Sequence, residues 1–323
     1  MKRKLLSIPS PLGPDTDFYQ FEWTGTDAEE TLSIVGGLHG DDFNAIEISS
    51  RLIAFLDQIE SNPESPYQIR EKIQLFPTVN PNAFETGSPV WPSDGLDADM
   101  SFPGNDAGEP EERYARAVYE ATFHSTYGVL LGSEARHFES HPHLQCMSLR
   151  RIEKKMARAT SFPLLRKIKT PTSFKARFFH HWTERQTPAL IFCGGERGRI
   201  STRYCDLAFQ ALIDLLMALE IVTHSTHASN KRETLIFPKQ CETIVSSKQP
   251  GLFIPTVQPG ARLEKDQVLG NVRHPYTGET LESIVAPGDG LLVSLRKLPL
   301  VYEGDKIAVL LSPPKLRFWP FSH

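Results

Sequence analysis

The chain has 323 residues, 40% hydrophobic and 23% charged, with a formal net charge of -4. Such a chain is long enough for one large domain plus a small one, and its composition is ordinary for a globular protein. The slightly negative balance excludes a general pull toward nucleic acid or an anionic membrane surface.

The start, MKRKLLSIPSPLG, is basic but meets Pro9 and Pro11 too soon to hold a signal-peptide core. No apolar stretch approaches the length of a membrane span. Cys146, Cys193, Cys205 and Cys241 lack CxxC spacing and read as reduced thiols. A cytoplasmic location is therefore expected.

TLSIVGGL (31–38) is an apolar run expected to form a buried strand. His39, Gly40, Asp41 and Asp42 follow on a turn, and FNAIEISSRLIAFLDQIE (43–60) has helical spacing. KIQLFPTVN (72–80) is strand-like, EPEERYARAVYEATFHS (109–125) helical, and GVLLG (128–132) a further strand. HFESHPH (137–143) reads as a polar surface loop. PALIFCGG (188–195) is again a strand, and residues 201–222 form a long apolar helix. Strand–helix alternation predicts an α/β domain with a parallel or mixed sheet flanked by helices. Ligand sites in such sheets lie beyond the carboxyl ends of the strands. His39 follows a strand end, where a site belongs.

The character changes after residue 235. Short strands are separated by Pro-Gly, Thr-Gly, Gly-Asp-Gly and Glu-Gly turns, which predicts a small all-β unit packed on the first domain. The expected division is 1–235 and 236–323. The tail ending KLRFWPFSH carries three aromatics and is expected to pack on the protein. The oligomeric state, a homo-oligomer included, stays open.

GGLHGDD (36–42), VNPNAFETGSPVWPSDGLDADMSFPG (79–104) and the pattern GLFIPTVQPGARLEKDQVLGNV…SIVAPGDGLLV…LVYEGDKIAVL (251–310) together resemble the succinylglutamate desuccinylase/aspartoacylase family, relatives of the zinc carboxypeptidases. The resemblance spans about residues 15–312. It implies a carboxypeptidase-like fold with a C-terminal barrel-sandwich domain, and zinc-dependent hydrolysis of the amide bond of an N-acyl amino acid. Barrel-sandwich domains resemble biotinyl and lipoyl carriers, but no lysine lies between Pro287 and Leu292 of the comparable turn, so a structural role that shapes the mouth of the site is expected.

Family members bind zinc through His-x-x-Glu, which places His39 and Asp42 as metal ligands, with Asp for Glu. A plainer alternative is that the two residues cap the next helix. The third ligand, a His, aligns with Gly132; His137, His141 or His143 are the candidate substitutes. The catalytic Glu, which would take a proton from zinc-bound water, aligns with Cys193, and Glu196 three residues on is a candidate replacement. Substrate-binding positions align with Asn80, Asp97, Asp99 and Met100, the last where the family carries Arg. No Lys or Arg occurs between Lys72 and Arg113. This acidic segment predicts a small ligand that is neutral or cationic, unless a cation from elsewhere compensates.

Two functions follow. One is a family member whose chemistry is weak or gone, kept for binding or regulation. The other is a zinc hydrolase with a rebuilt site using His39, Asp42 and a His from 137–143.

Overall fold

The computed structural model describes residues 1–10, 12–133, 136–168, 176–224 and 233–312. The aromatic tail lies outside these. The chain begins with an antiparallel hairpin, β1 (Lys2–Ile8) and β2 (Thr16–Thr24), in a stretch the sequence left unassigned. Next come β3 (Thr31–Val35), α1 (Phe43–Ser61), β4 (Tyr67–Ile69), β5 (Lys72–Phe76), α2 (Pro81–Thr86), a 3-10 turn (Ala98–Met100), α3 (Pro110–Ala121) and β6 (Tyr127–Leu131). The first unit continues through β7 (Phe138–Cys146), α4 (Arg151–Ala159), β8 (Leu164–Lys167), α5 (Phe178–Glu184), β9 (Ala189–Glu196), α6 (Thr202–Ala218), β10 (Val222–His224) and β11 (Leu235–Phe237).

The main sheet runs β1-β2-β5-β3-β6-β9-β7, with β5, β3, β6 and β9 parallel and β2 and β7 antiparallel to their neighbours. Ile34, Leu75, Val129 and Leu190 of the parallel strands are fully buried, as strands covered on both faces must be. Leu52 and Leu56 of α1 share one cluster with Leu212 and Leu216 of α6. Tyr114 and Val118 of α3 share another with Phe178 and Trp182 of α5. Each such side chain contributes about 1.5–3 kcal/mol by leaving water. The mixed sheet with helices on both faces matches the expected α/β class.

Two expectations need correction. The helix foreseen over 201–222 stops at Ala218; Glu220 turns through a left-handed conformation (φ 59°), and Val222–His224 pairs with β4 instead. The stretch 137–143 is no surface loop. From Phe138 it is part of β7, paired to β9 on one side and to β8 and the C-terminal unit on the other. Pro142 is tolerated there because the ladder with β9 shifts between Ser140 and His143, so the missing N–H falls at an irregularity.

The C-terminal strands are β12 (Glu242–Ser246), β13 (Gly251–Pro255), β14 (Arg262–Leu263), β15 (Val268–Arg273), β16 (Thr280–Val285), β17 (Gly290–Arg296), β18 (Leu300–Val301) and β19 (Lys306–Leu311). One set, β16-β15-β13-β18, is a separate sheet. The other, β17-β19-β12, extends the main sheet through β17 against β7, with Ser294 opposite Ser140. The two sets share a core that includes Phe253, Leu269, Ile284, Leu292, Ile307 and Leu310.

Candidate functional site

The turn after β3 is built by close approach. Gly37 takes φ 58°, and a Cβ there would fall 2.7 Å from the Thr78 Cα. A Cβ on Gly40 would fall 2.0 Å from the Ala83 carbonyl carbon in α2. Only glycine allows this packing, and it carries His39 and Asp42 to the carboxyl end of the sheet. Asp42 does not cap α1 through its side chain. It reaches across to the end of β6, where Oδ2 accepts from the Ser133 N–H (3.0 Å) and Oδ1 from the Ser133 hydroxyl (2.7 Å). The capping alternative is therefore not realised.

His39 and Asp42 open on a cavity of about 640 Å³ together with Asp97, Asp99, Gly132 and Cys193. Six of the predicted positions thus meet. The His39 Nε2 lies 3.2 Å from Asp97 Oδ1. Burial opposes ionisation of Asp97, but the His39 hydrogen bond and the charges of His39 and Arg177 outweigh it and hold the carboxyl below its ordinary value. Arg177, from just before α5, donates to Asp99 and lies 3.4 Å from Asp97 Oδ2. The Phe178 N–H adds a bond to the other Asp99 oxygen, at 3.0 Å.

The remaining predicted residues lie elsewhere. Asn80 is fully buried as the N-cap of α2, its Oδ1 accepting from the Ala83 N–H at 3.1 Å. Met100 is 40% exposed. Glu196 ends β9 opposite Glu139, away from the cavity lining. His137 sits at the turn into β7 with φ 74°, and its carbonyl accepts from the Lys297 N–H. His141 lines a separate cavity of about 120 Å³, where burial lowers its pKa. His143 is buried opposite Cys193; Nδ1 donates to the His141 carbonyl, which makes Nε2 the acceptor for Gln145 (2.9 Å) and Arg166 (3.1 Å). Its ring lone pair is therefore already in use.

These bonds test the implied zinc. Both Asp42 oxygens and the His39 Nε2 hold protein partners, and none of the three candidate histidines lines the cavity. Among the described residues no group of three His, Cys, Asp or Glu side chains is arranged to hold a metal. The donor set does not fit a three-ligand zinc centre. Gly132, where the resemblance aligns the third ligand, has room for a side chain. A Cβ built on Gly132 meets only Asp42 Oδ2, at 3.8 Å.

Sequence reasoning missed the basic side of the pocket. Arg136, Arg177, Arg197 and Lys306 line it, all from outside the acidic segment. Glu242 and Lys306 come from the C-terminal strands β12 and β19, so that unit supplies part of the wall. Nothing local in the sequence marks these four; they are brought in by sheet pairing and by the approach to α5. Asp41, beside His39, is held above its ordinary pKa by burial, which Arg197 and His39 partly offset.

A family model described as the succinylglutamate desuccinylase/aspartoacylase catalytic domain matches residues 28–212. No curated protein sequence matches the chain significantly. Among solved structures, the product-bound ectoine utilization protein EutE (DoeB) from Ruegeria pomeroyi is 21% identical over 92% of this chain and 89% of its own, with a TM-score of 0.77. A succinylglutamate desuccinylase/aspartoacylase from Rhodobacter sphaeroides is 17% identical over 96% and 95%, TM-score 0.79. A succinylglutamate desuccinylase from a Silicibacter species is 17% identical over 96% and 94%, TM-score 0.80. At these identities the likeness shows the shared fold.

Proposed function

The chain belongs to the succinylglutamate desuccinylase/aspartoacylase family, and from that premise we propose that its pocket is an inherited hydrolase site now used to bind a small molecule, without zinc-dependent amide hydrolysis. The observation that carries this is the bonding of the inherited ligands: Asp42 is spent on Ser133 and His39 on Asp97, beside a glycine at the third position. Cys193 in the catalytic position lacks the carboxylate that shuttles a proton from water to a leaving amine. Met100 cannot donate hydrogen bonds to a substrate anion.

The ligand we propose is neutral overall and zwitterionic, of amino-acid size. The acidic segment alone favours a neutral or cationic molecule. Among the described residues of the wall, four basic side chains (Arg136, Arg177, Arg197, Lys306) stand with four acidic ones (Asp42, Asp97, Asp99, Glu242). A balanced wall of both signs suits a molecule carrying both. We further take the C-terminal strands as the family's barrel-sandwich domain, on the strength of the two sheets that share one core. We place the protein in the cytoplasm, where its four buried cysteines, joined by no disulfide, would stay reduced.

The test has two arms. Wild type and the variant Gly132→His, Cys193→Glu, Met100→Arg are assayed with added zinc on a panel of acylated amino acids. Wild type is expected to be inactive, and zinc titration to give no stoichiometric site. Chelator-sensitive wild-type turnover at roughly 1 s⁻¹ or faster would sink the proposal in favour of the rebuilt hydrolase. In the second arm, thermal shifts should favour zwitterionic amino acids over dicarboxylates such as succinylglutamate.

A further inference from the structure

A second cavity, of about 790 Å³, lies between α4, the last turns of α6 and β10. It is remote from the first. Tyr204, near the start of α6, bonds the Gly132 carbonyl beside the first pocket (2.9 Å), whereas Asp214, Met217 and Ala218 of the second lie ten to fourteen residues on. That places them about 15–21 Å further along the helix axis at 1.5 Å per residue.

Among the described residues the walls of this groove carry an unbalanced charge. Arg151, Lys155 and Arg158 project from one side of α4, at i, i+4 and i+7, and all three line the groove. None has an ion-pair partner among the described residues. Elsewhere basic side chains are commonly matched, as in Arg51 with Glu47 and Asp206, Arg70 with Asp27, Arg116 with Glu120 and Lys297 with Glu139. The acid of α4, Glu153, points inward and is bonded to Arg150 and Ser148. Among the described residues the one carboxylate in the groove wall is Asp214, which accepts from the Ser161 hydroxyl (2.8 Å) and from Gln210 (3.1 Å), and this spreads its charge. The last carbonyls of α6 are taken by the N–H groups of Leu219, Glu220 and Ile221, so the helix end presents little free negative dipole. Thr223 and His224 also line it, and Met217 and Ala218 supply an apolar surface.

We propose that this groove binds a small phosphorylated ligand of the nucleotide class, independently of the first pocket. Three cations spread over about 10 Å of helix match two or more phosphates rather than one. An apolar surface at the other wall suits a flat ring. The volume lies in the range of small-molecule sites, and a concave wall of one sign concentrates field on an anion more than a flat patch does. A nucleic acid strand would need a basic track continuing beyond the groove, which a chain of net charge -4 does not favour.

The test is calorimetric titration of the full chain with ADP, pyrophosphate, adenosine and a single-stranded RNA oligomer, at two salt concentrations. ADP and pyrophosphate should bind, adenosine should not bind measurably, and affinity should fall with salt. Arg151→Gln, Lys155→Gln and Arg158→Gln together should weaken ADP roughly tenfold or more, with thermal unfolding unchanged because all three side chains are exposed. Ala218→Trp, which fills the apolar wall, should weaken ADP more than pyrophosphate. Asp97→Asn in the first pocket should leave ADP binding as it was. Equal binding of ADP by wild type and the triple variant overturns the proposal, as does binding of RNA with none of ADP or pyrophosphate.

Discussion

The two cavities handle charge in opposite ways. In the pocket at the strand ends the acids are held by named donors: Asp42 by Ser133, Asp97 by His39, Asp99 by Arg177 and Glu242 by Arg166. In the α4–α6 groove Arg151, Lys155 and Arg158 stand without carboxylate partners among the described residues. A site whose acids are bonded internally keeps its shape, and under the proposed function it has given up reactivity. A site whose charges are unsatisfied costs little at an exposed surface and keeps its affinity for whatever brings the counter-charge.

The comparison is broken most forcefully by removing the cation of the first pocket. Arg177→Ala leaves Asp97 and Asp99 facing each other without it. Breaking a buried pair costs about 3–5 kcal/mol, and the partial exposure of Arg177 reduces this to about 2–3 kcal/mol. Urea unfolding measures it; a loss under about 0.5 kcal/mol would mean that the carboxylates are not held as described. Asp42→Ala removes two hydrogen bonds and leaves the buried Ser133 N–H and O–H without their acceptor, costing about 1–3 kcal/mol. Asp42→Asn should recover part of that, which a cap-only or metal-only role would not predict.

A smaller effect is expected from pH. The folded-state pKa of Asp97 lies below its ordinary value of 3.8. Its contribution to stability is therefore complete above that value and is lost as pH falls through the lower, folded one. Asp97→Asn should flatten this acid limb of the stability curve, and an unchanged limb would assign it to other carboxylates. Gly132→His should be accepted at a cost under about 1 kcal/mol, because the new Cβ meets nothing closer than 3.8 Å. The smallest change belongs to the groove, where the triple glutamine variant should unfold within about 0.5 kcal/mol of wild type. A larger loss would mean that the three bases are structural.

Much of the framework was legible in the sequence because it rests on patterns the chain repeats. The four central strands are mostly apolar, and α1 carries its buried residues at helical spacing, ending within a residue of the expected position. His39 and Asp42 were legible from a turn rich in glycine after a buried strand. The β7 strand was not, since Glu139, Ser140, His141 and Pro142 look like loop residues; pairing on both sides buries Ser140 and His143 in spite of their polarity. Nor were Arg136, Arg177, Arg197 and Lys306, which reach the pocket from four separate places in the chain. Long-range pairing decides such positions, and one sequence carries little local trace of it.

Those same pairings tie the fate of the two halves together. Glu242 and Lys306 close the pocket from strands that follow residue 238, and β17 covers the flank of β7 at Ser140. A fragment ending near 235 would therefore present an unprotected strand edge, prone to recruit other chains, and its pocket would gape on one side. A single nick in the connection ahead of Glu242 should behave otherwise, leaving two pieces that migrate as one until denatured. Ligand binding and shelf life would then be lost or kept together, so that expression trials of shortened versions report on the pocket as much as on the fold.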